Sequence, residues 1–271
     1  MADFSRLKSS LKLNNILTTL NESQIAVDLG CGPGSFNYLA YRCRIVGIDV
    51  SLDASVLRRS GDRIDYVRSL SNEIPLSPQS VDAVICNHTL EHFANYVKTL
   101  QEIGRVLKPD GYIWISVPNG FGFDDMLYRG IFPGKGGHVN RFSFQSMVDA
   151  VEQNTGLRLL QSSLLFSSFT YLMKFNHRYS VFVLNAGTRI IDKLLGTRLS
   201  LYGWGFVFGR DGSSLTPLYS YFNVCCKCGS GDPFVRLNAS ANVRRRFGFR
   251  FYSCLHCGTA NVLMTPPPGL S

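Results

Sequence analysis

No stretch of this 271-residue chain approaches the roughly 18 to 20 uninterrupted apolar residues that a membrane-spanning helix requires. The first 20 residues scatter Arg6, Lys8, Lys12, Asn14 and Asn15 among their leucines, without the compact apolar block and small-residue cleavage site of a secretory signal. A cytoplasmic, thiol-reducing location is therefore expected, where the 8 cysteines need a purpose other than disulfides. Internal repeats at solenoid periods are lacking too, so the order of elements carries the fold. Charged residues are only 17% against 45% hydrophobic, a globular composition that excludes disordered, collagen-like and coiled-coil classes. Acid is scarcest in residues 213–271, which hold 6 Lys and Arg against the single Asp232 and so carry +5 of the net +9. Such a basic balance suits an acidic partner or surface without specifying one.

Strand and helix signals alternate. Residues 24–30 (QIAVDLG) read as a buried strand ending in a glycine-rich turn, with a short helix over 35–42. RIVGIDV (44–50) repeats the strand signal, followed by a helical stretch from Asp53 to Arg59, a weaker strand at 64–68 and a strong one in VDAVICN (81–87). Over 94–107, Val97, Leu100, Ile103, Val106 and Leu107 fall near one helical stripe, and Pro109-Asp110-Gly111 supplies a stop before the strand YIWISVP. This order predicts a parallel sheet covered on both faces. A glycine-rich loop (119–138), a helix (143–154), a strand (157–164) and the apolar strand GWGFVFG (203–209) follow. Between the last two, residues 165–196 carry many aromatics and read either as a helical core element or as a lid or membrane-surface contact. DGSSLTP after Arg210 reads as a linker.

Asp28-Leu29-Gly30-Cys31-Gly32-Pro33-Gly34 lies between the first strand and the first helix. Its glycines allow a tight turn and close approach of a ligand to backbone amides. Asp49 ends the second strand, where a carboxylate can accept both hydroxyl protons of a ribose. Together they imply a ligand carrying a nucleoside. The pattern is G-x-G-x-G, not the G-x-G-x-x-G of dinucleotide sites.

VDLGCGPG (27–34), GIDVS (47–51), DAVICNHTLEHF (82–93) and GRVLKPDGYIWISVPN (104–119) stand in the order found in class I S-adenosylmethionine-dependent methyltransferases, which the chain resembles over roughly residues 1–210. The resemblance implies that Asp28, Gly30, Cys31, Gly32 and Gly34 surround the methionine part of S-adenosylmethionine. It further implies that Asp49 holds the ribose, that Val50 also binds the cofactor, that Asn87 lines the cofactor pocket, and that a seven-stranded sheet has its last strand antiparallel. An acid that the family usually places after the third strand is replaced here by Arg68-Ser69-Leu70-Ser71-Asn72, so adenine would rest on backbone groups and apolar packing.

Methyl transfer to a hydroxyl needs alignment and removal of one proton. His92 and His138 are the candidate bases, on loops at the carboxyl end of the sheet, with His88 a weaker one. Each can equally do no more than tie a loop together. Glu91 either orients a histidine or caps a helix.

Cys225-x2-Cys228 and Cys254-x2-Cys257 are paired knuckles able to supply four thiolates to one structural zinc, and this region looks like a zinc ribbon. Cys226 and His256 stand nearby as competing ligands; Cys31, Cys43 and Cys86 read as small packing residues. Arg244, Arg245, Arg246 and Arg250 alternate with Phe247, Phe249, Phe251 and Tyr252, which suits either RNA or a two-faced hairpin with its arginines in water.

The expectation is thus an α/β protein: a Rossmann-like, doubly wound methyltransferase domain over residues 1–212 with an insertion near 165–196, a linker at 213–223, and a zinc ribbon at 224–271. S-adenosylmethionine and a structural zinc ion are the expected cofactors. A small-molecule or glycan acceptor methylated on oxygen is the leading function; an RNA methyltransferase and a noncatalytic adaptor are the alternatives.

Overall fold

The computed structural model describes residues 16–131, 137–166, 169, 172, 178–195, 199–210, 222–225, 231–240, 243–246 and 248–263. Most of the expected linker, part of the 165–196 insertion, Cys226 and Cys228 lie outside the described residues.

The apolar runs build one sheet from β1 (Ile25–Leu29), β2 (Arg44–Asp49), β3 (Ile64–Arg68), β4 (Val81–Asn87), β5 (Leu107–Pro118), β6 (Arg158–Phe166) and β7 (Leu201–Gly209), in the order β3-β2-β1-β4-β5-β7-β6. The first five strands pair in parallel, while β7 runs antiparallel to both β5 and β6. Every residue of β4 and β7 is buried, as continuous hydrophobic runs require when both faces are covered. Alternate residues serve opposite layers. Val27 and Leu29 face a core with Leu100, Ile103 and Met147, whereas Ala26, Ile45 and Ile85 face Ile16, Phe36 and Trp114. Strand order reverses between β1 and β4, which opens a crevice at their carboxyl ends.

Local chemistry starts and stops the covering helices. Asp53 caps α1 (Ala54–Leu57) by accepting from the Ser55 and Val56 amides, and Asn95 caps α2 (Tyr96–Val106) through the Lys98 amide. α3 (Phe123–Ile131) comes next, and α4 (Phe144–Thr155) opens on a Ser143–Ser146 capping box and ends at the left-handed Gly156.

Three local expectations are corrected. The helix at 35–42 is only a 3₁₀ turn, Tyr38–Ala40, because Asp28 draws the Tyr38 hydroxyl and the Ser35 amide inward. Pro109-Asp110-Gly111 does not separate two elements; it bulges within β5, where the register shifts opposite Asp82 and Lys108 Nζ pairs with that carboxylate at 2.8 Å. The glycine-rich loop at 119–138 contains α3, whose first-turn acids and Asp125–Arg129 pair at i,i+4 were the missed helix signals.

Within the insertion, α5 (Arg178–Leu195) turns polar groups inward: Asn185, Thr188, Arg189 and Asp192 are buried while Leu194 and Leu195 are exposed. Arg189 donates through Nη1 to the Val262 carbonyl at 2.9 Å, tying α5 to the C-terminal unit. That unit comprises a β8 (Phe222–Val224)/β9 (Gly231–Pro233) hairpin, α6 (Phe234–Ala239), and an antiparallel sheet of β10 (Val243–Arg246), β11 (Phe249–Ser253) and β12 (Ala260–Val262). Among the described residues its buried core is small: a cluster of Leu237, Tyr252 and Leu263, with Val262, Cys225 and Cys254 also buried.

Candidate functional site

The glycine turn leaves β1 with Gly30, Gly32 and Gly34 at φ of 72°, 49° and 119°, conformations that L side chains avoid. A β-carbon on Gly30 would stand 2.6 Å from Thr89 Cγ2, so only glycine lets the turn pass the β4 loop. At Gly32 a β-carbon would meet nothing within 4 Å, and the turn faces open space there. Its amide donates to Asp49 Oδ2 at 2.9 Å, while the Ser51 amide and hydroxyl hold Oδ1 at 2.8 and 2.6 Å. The second-strand carboxylate is thereby fixed to the turn it was predicted to serve.

Asp28 is wholly buried beneath the turn; its Oδ2 accepts from Tyr38 Oη at 2.5 Å and the Ser35 amide at 3.2 Å. Burial pushes its carboxyl up to about 6, against the opposing hydrogen bonds from Tyr38 and Ser35. The folded state therefore holds this proton more tightly than the unfolded chain, whose ordinary value is 3.8, and stability falls as pH rises through that window. Relative to Asp28→Asn, the wild type should lose about 3 kcal/mol between roughly pH 4 and pH 7. Urea unfolding of both proteins across that range measures the difference, and a pH-independent difference would refute a strained buried carboxylate.

A cavity of about 260 Å³ opens beside the turn, lined among others by Gly30, Asp49, Val50, Leu70, His92 and Phe93. Of the expected cofactor residues, Gly30, Asp49 and Val50 line it; Asp28, Cys31, Gly32 and Gly34 belong to the same turn without lining it. Asn87 is buried, with Nδ2 3.5 Å from the Ser35 carbonyl, behind the turn. Cys31 is buried and its thiol pushed up by desolvation, in keeping with packing. Ser69–Asn72, where the acid is missing, and Phe93–Asn95 complete the lining; only the family comparison of the β3 loop pointed to the first group.

Along the same rim the predicted histidines come together. His92 and His138 meet edge to face, ring centres 4.9 Å apart, with Glu91 beside them. His92 Nδ1 lies 3.2 Å from the Gly137 carbonyl oxygen, and His138 Nδ1 hydrogen-bonds Asp125, whose other oxygen binds Arg129 Nε at 2.6 Å. Burial raises the Asp125 carboxyl, but the His138 and Arg129 contacts outweigh it and leave it below the usual range. Tyr128 stacks on His138 at 4.6 Å. His88, at φ 53°, adjoins the cluster through Nδ1, 3.4 Å from Glu91 Oε1, and its Nε2 is shared by Ser116 Oγ (2.8 Å) and the Tyr202 hydroxyl. Asp125, Tyr128 and Arg129 all come from α3, the helix hidden in the glycine-rich segment.

In the C-terminal unit, the sulfurs of Cys225, Cys254 and Cys257 lie within 4.8 Å of one another, and Cys225 Sγ is 3.6 Å from Cys257 Sγ. The His256 amide lies 3.4 Å from Cys254 Sγ and Asn261 Nδ2 lies 3.5 Å from Cys225 Sγ, while Cys257 Sγ donates to Thr259 Oγ1 at 3.3 Å. The predicted fourth ligand, Cys228, is outside the described residues. His256 turns to Asp232 at 3.5 Å. Arg244 and Arg245 are exposed on β10, whereas Arg250 hydrogen-bonds Asn238 and lies 5.9 Å over the Phe234 ring.

Comparison with known proteins bears on the N-terminal part. Residues 27–115, about a third of the chain, match the family described as a methyltransferase domain. An uncharacterized methyltransferase-like protein of Schizosaccharomyces pombe is 34% identical over 96 residues, covering 34% of this chain and 37% of that protein. A ubiquinone biosynthesis O-methyltransferase of Saccharophagus degradans is 35% identical over 101 residues, covering 34% of this chain and 43% of that one. The chain spans about two fifths to half the length of the curated relatives it matches. A SAM-dependent methyltransferase from Archaeoglobus fulgidus superposes with a TM-score of 0.54 at 18% identity, over 76% of this chain and 93% of that one, which establishes the shared fold. The glycine turn, Asp49 and the strand carrying Asn87 all fall inside the segment that matches the methyltransferase-domain family, and the sheet has the fold of the Archaeoglobus protein.

Proposed function

We propose that this chain transfers the methyl group of S-adenosylmethionine to an oxygen of a small-molecule or glycan-type acceptor. The observation that carries the reading is the cavity at the carboxyl ends of the parallel strands, lined by Gly30 of the glycine turn and by Asp49, whose carboxylate the Gly32 amide holds to that turn. The residues fit the cofactor: Asp49 is placed for ribose hydroxyls, Gly32 presents unfilled space, and Leu70 and Phe93 offer apolar faces to a base. When bound, S-adenosylmethionine supplies an electrophilic methyl on a sulfonium sulfur. The chain's own residues do the rest. The glycine turn and Asp49 orient the donor, the walls exclude water, and the rim of Glu91, His92 and His138 receives the acceptor hydroxyl. With the donor so held, its methyl would pass to the acceptor oxygen, the displaced electron pair would stay on the cofactor's sulfur, and the hydroxyl proton would leave at the rim of Glu91, His92 and His138.

The test is calorimetric titration of zinc-replete protein with S-adenosylmethionine, for which micromolar, one-to-one binding is expected. Absence of binding would defeat this reading and favour a noncatalytic adaptor.

We also propose that the C-terminal cysteines hold a structural zinc. Four thiolates about 2.3 Å from a tetrahedral ion stand about 3.8 Å apart, close to the 3.6 Å between Cys225 and Cys257 and far from a disulfide of about 2.05 Å. Nitrogen donors aimed at the Cys225 and Cys254 sulfurs suit thiolates at those two positions.

A further inference from the structure

We propose that Glu91, His92 and His138 form a second metal site, distinct from the cysteines, that takes a divalent first-row cation at the mouth of the cavity. Each offers one ligand atom, and these atoms lie within 4.8 Å of one another. Both histidines are already oriented as ligands. His138 Nδ1 is occupied by Asp125 and His92 Nδ1 faces the Gly137 carbonyl, so in each ring Nε2 is the nitrogen left with a lone pair. A carboxylate or carbonyl on the far nitrogen is the usual support of a metal-bound imidazole. Arg129 in turn braces Asp125, and the Tyr128 ring stacks against His138.

Glu91 is the independent observation. It is 1% exposed, and neither carboxylate oxygen makes a hydrogen bond to any described residue; His88 Nδ1 lies 3.4 Å from Oε1 without hydrogen-bonding alignment. A buried carboxylate left in that state is costly, and a cation between it and two imidazoles supplies the missing partner. The backbone holds the three residues in register. The Val139 and Asn140 amides donate to the Glu91 carbonyl at 2.8 and 3.0 Å, and Asn140 Nδ2 spans the Leu90 and Phe93 carbonyls at 2.9 and 2.8 Å. Arg129 binds the Asn140 carbonyl at 2.7 Å from the other side.

Two imidazoles and one carboxylate select zinc, manganese, iron or cobalt over calcium, and three protein ligands leave coordination positions open for another oxygen. His92 also lines the cavity, so that oxygen would be one presented to the cavity. Binding of the cation stands by itself. Its use, to fix an acceptor hydroxyl and lower its pKa so that the proton is lost to water, rests on the methyl-transfer reading and makes His92 and His138 ligands in place of direct bases.

The decisive experiment titrates protein whose cysteines are already zinc-loaded with Mn²⁺, following free Mn²⁺ by electron paramagnetic resonance, because thiolate sites compete poorly for manganese. One Mn²⁺ per chain is expected. Glu91→Gln and His138→Ala should each weaken uptake by at least tenfold, and Asp125→Asn by about 10- to 100-fold through His138. Should the buried substitutions disturb folding by circular dichroism, His92→Ala, on an exposed side chain, provides the same reading. No Mn²⁺ uptake by wild type, or unchanged uptake by folded Glu91→Gln or His92→Ala, overturns the site. Calorimetry with S-adenosylmethionine on the same samples separates the two claims. Mn²⁺ uptake without cofactor binding would sink methyl transfer and keep the metal site, whereas cofactor binding without Mn²⁺ uptake would do the reverse.

Discussion

Replacing Asp49 by alanine should weaken S-adenosylmethionine binding by at least 100-fold while leaving the fold intact. Two losses add. On the proposed cofactor reading the carboxylate accepts from both ribose hydroxyls, and charge-assisted hydrogen bonds of that kind contribute about 1.5 to 3 kcal/mol each. It also holds the Gly32 amide at 2.9 Å and the Ser51 amide and hydroxyl, so its removal loosens the turn that forms the cavity wall. Asp49 is only partly buried at the end of β2, and nothing in the core depends on it, which is why unfolding should change little. Asp49→Asn keeps the acceptor for Gly32 but not the charge, and should fall between wild type and alanine. Calorimetric titration of the three proteins reads the order. Equal affinities would remove the ribose role and with it the main structural support for a nucleoside cofactor.

Stripping zinc with a strong chelator should unfold residues 222–263 while the seven-stranded sheet survives. Among its described residues the C-terminal unit buries Leu237, Tyr252, Val262 and Leu263 with Cys225 and Cys254, and partly covers Phe234, Val243 and Leu255, too little apolar material to offset the entropy of ordering its strands. A structural zinc contributes on the order of 10 kcal/mol or more at neutral pH, so its loss exceeds what the small core supplies. Hydrogen exchange should show β10, β11 and β12 losing protection on chelation and regaining it with zinc, and Cys254→Ser should purify with less metal. Protection should also fall along α5, because Arg189, 1% exposed, gives its guanidinium to the Val262 carbonyl and is left buried without that acceptor if the unit unfolds. Retention of protection after complete metal removal would reject the zinc reading.

Much of the sheet was legible because periodicity and glycine punctuation are local signals. VDAVICN is apolar at almost every position, and a strand buried on both faces needs that pattern. The glycine turn and Asp49 were legible for a related reason: positive φ and a strand-end acid are demanded residue by residue. The 35–42 stretch misled because its helical propensity lost to one long-range bond, Tyr38 Oη to the buried Asp28. α3 was hidden because its most deeply buried side chains are Asp124 and Asp125 and its apolar contact is short, Phe123 and Leu127 against Phe169, inside a segment punctuated by glycines.

Composition and spacing alone determined an alternating α/β order, a glycine-rich turn with its strand-end acid, and two cysteine knuckles in a basic segment. Tertiary structure alone decided what surrounds the histidines. Glu91 and His92 lie more than forty residues from His138 in sequence, and they meet because two amides of the 139–140 segment bind the Glu91 carbonyl while Arg129 clamps the same segment from α3. Sequence patterns report each residue's own backbone and burial preferences; which side chains share a rim depends on long-range hydrogen bonds that no local period encodes.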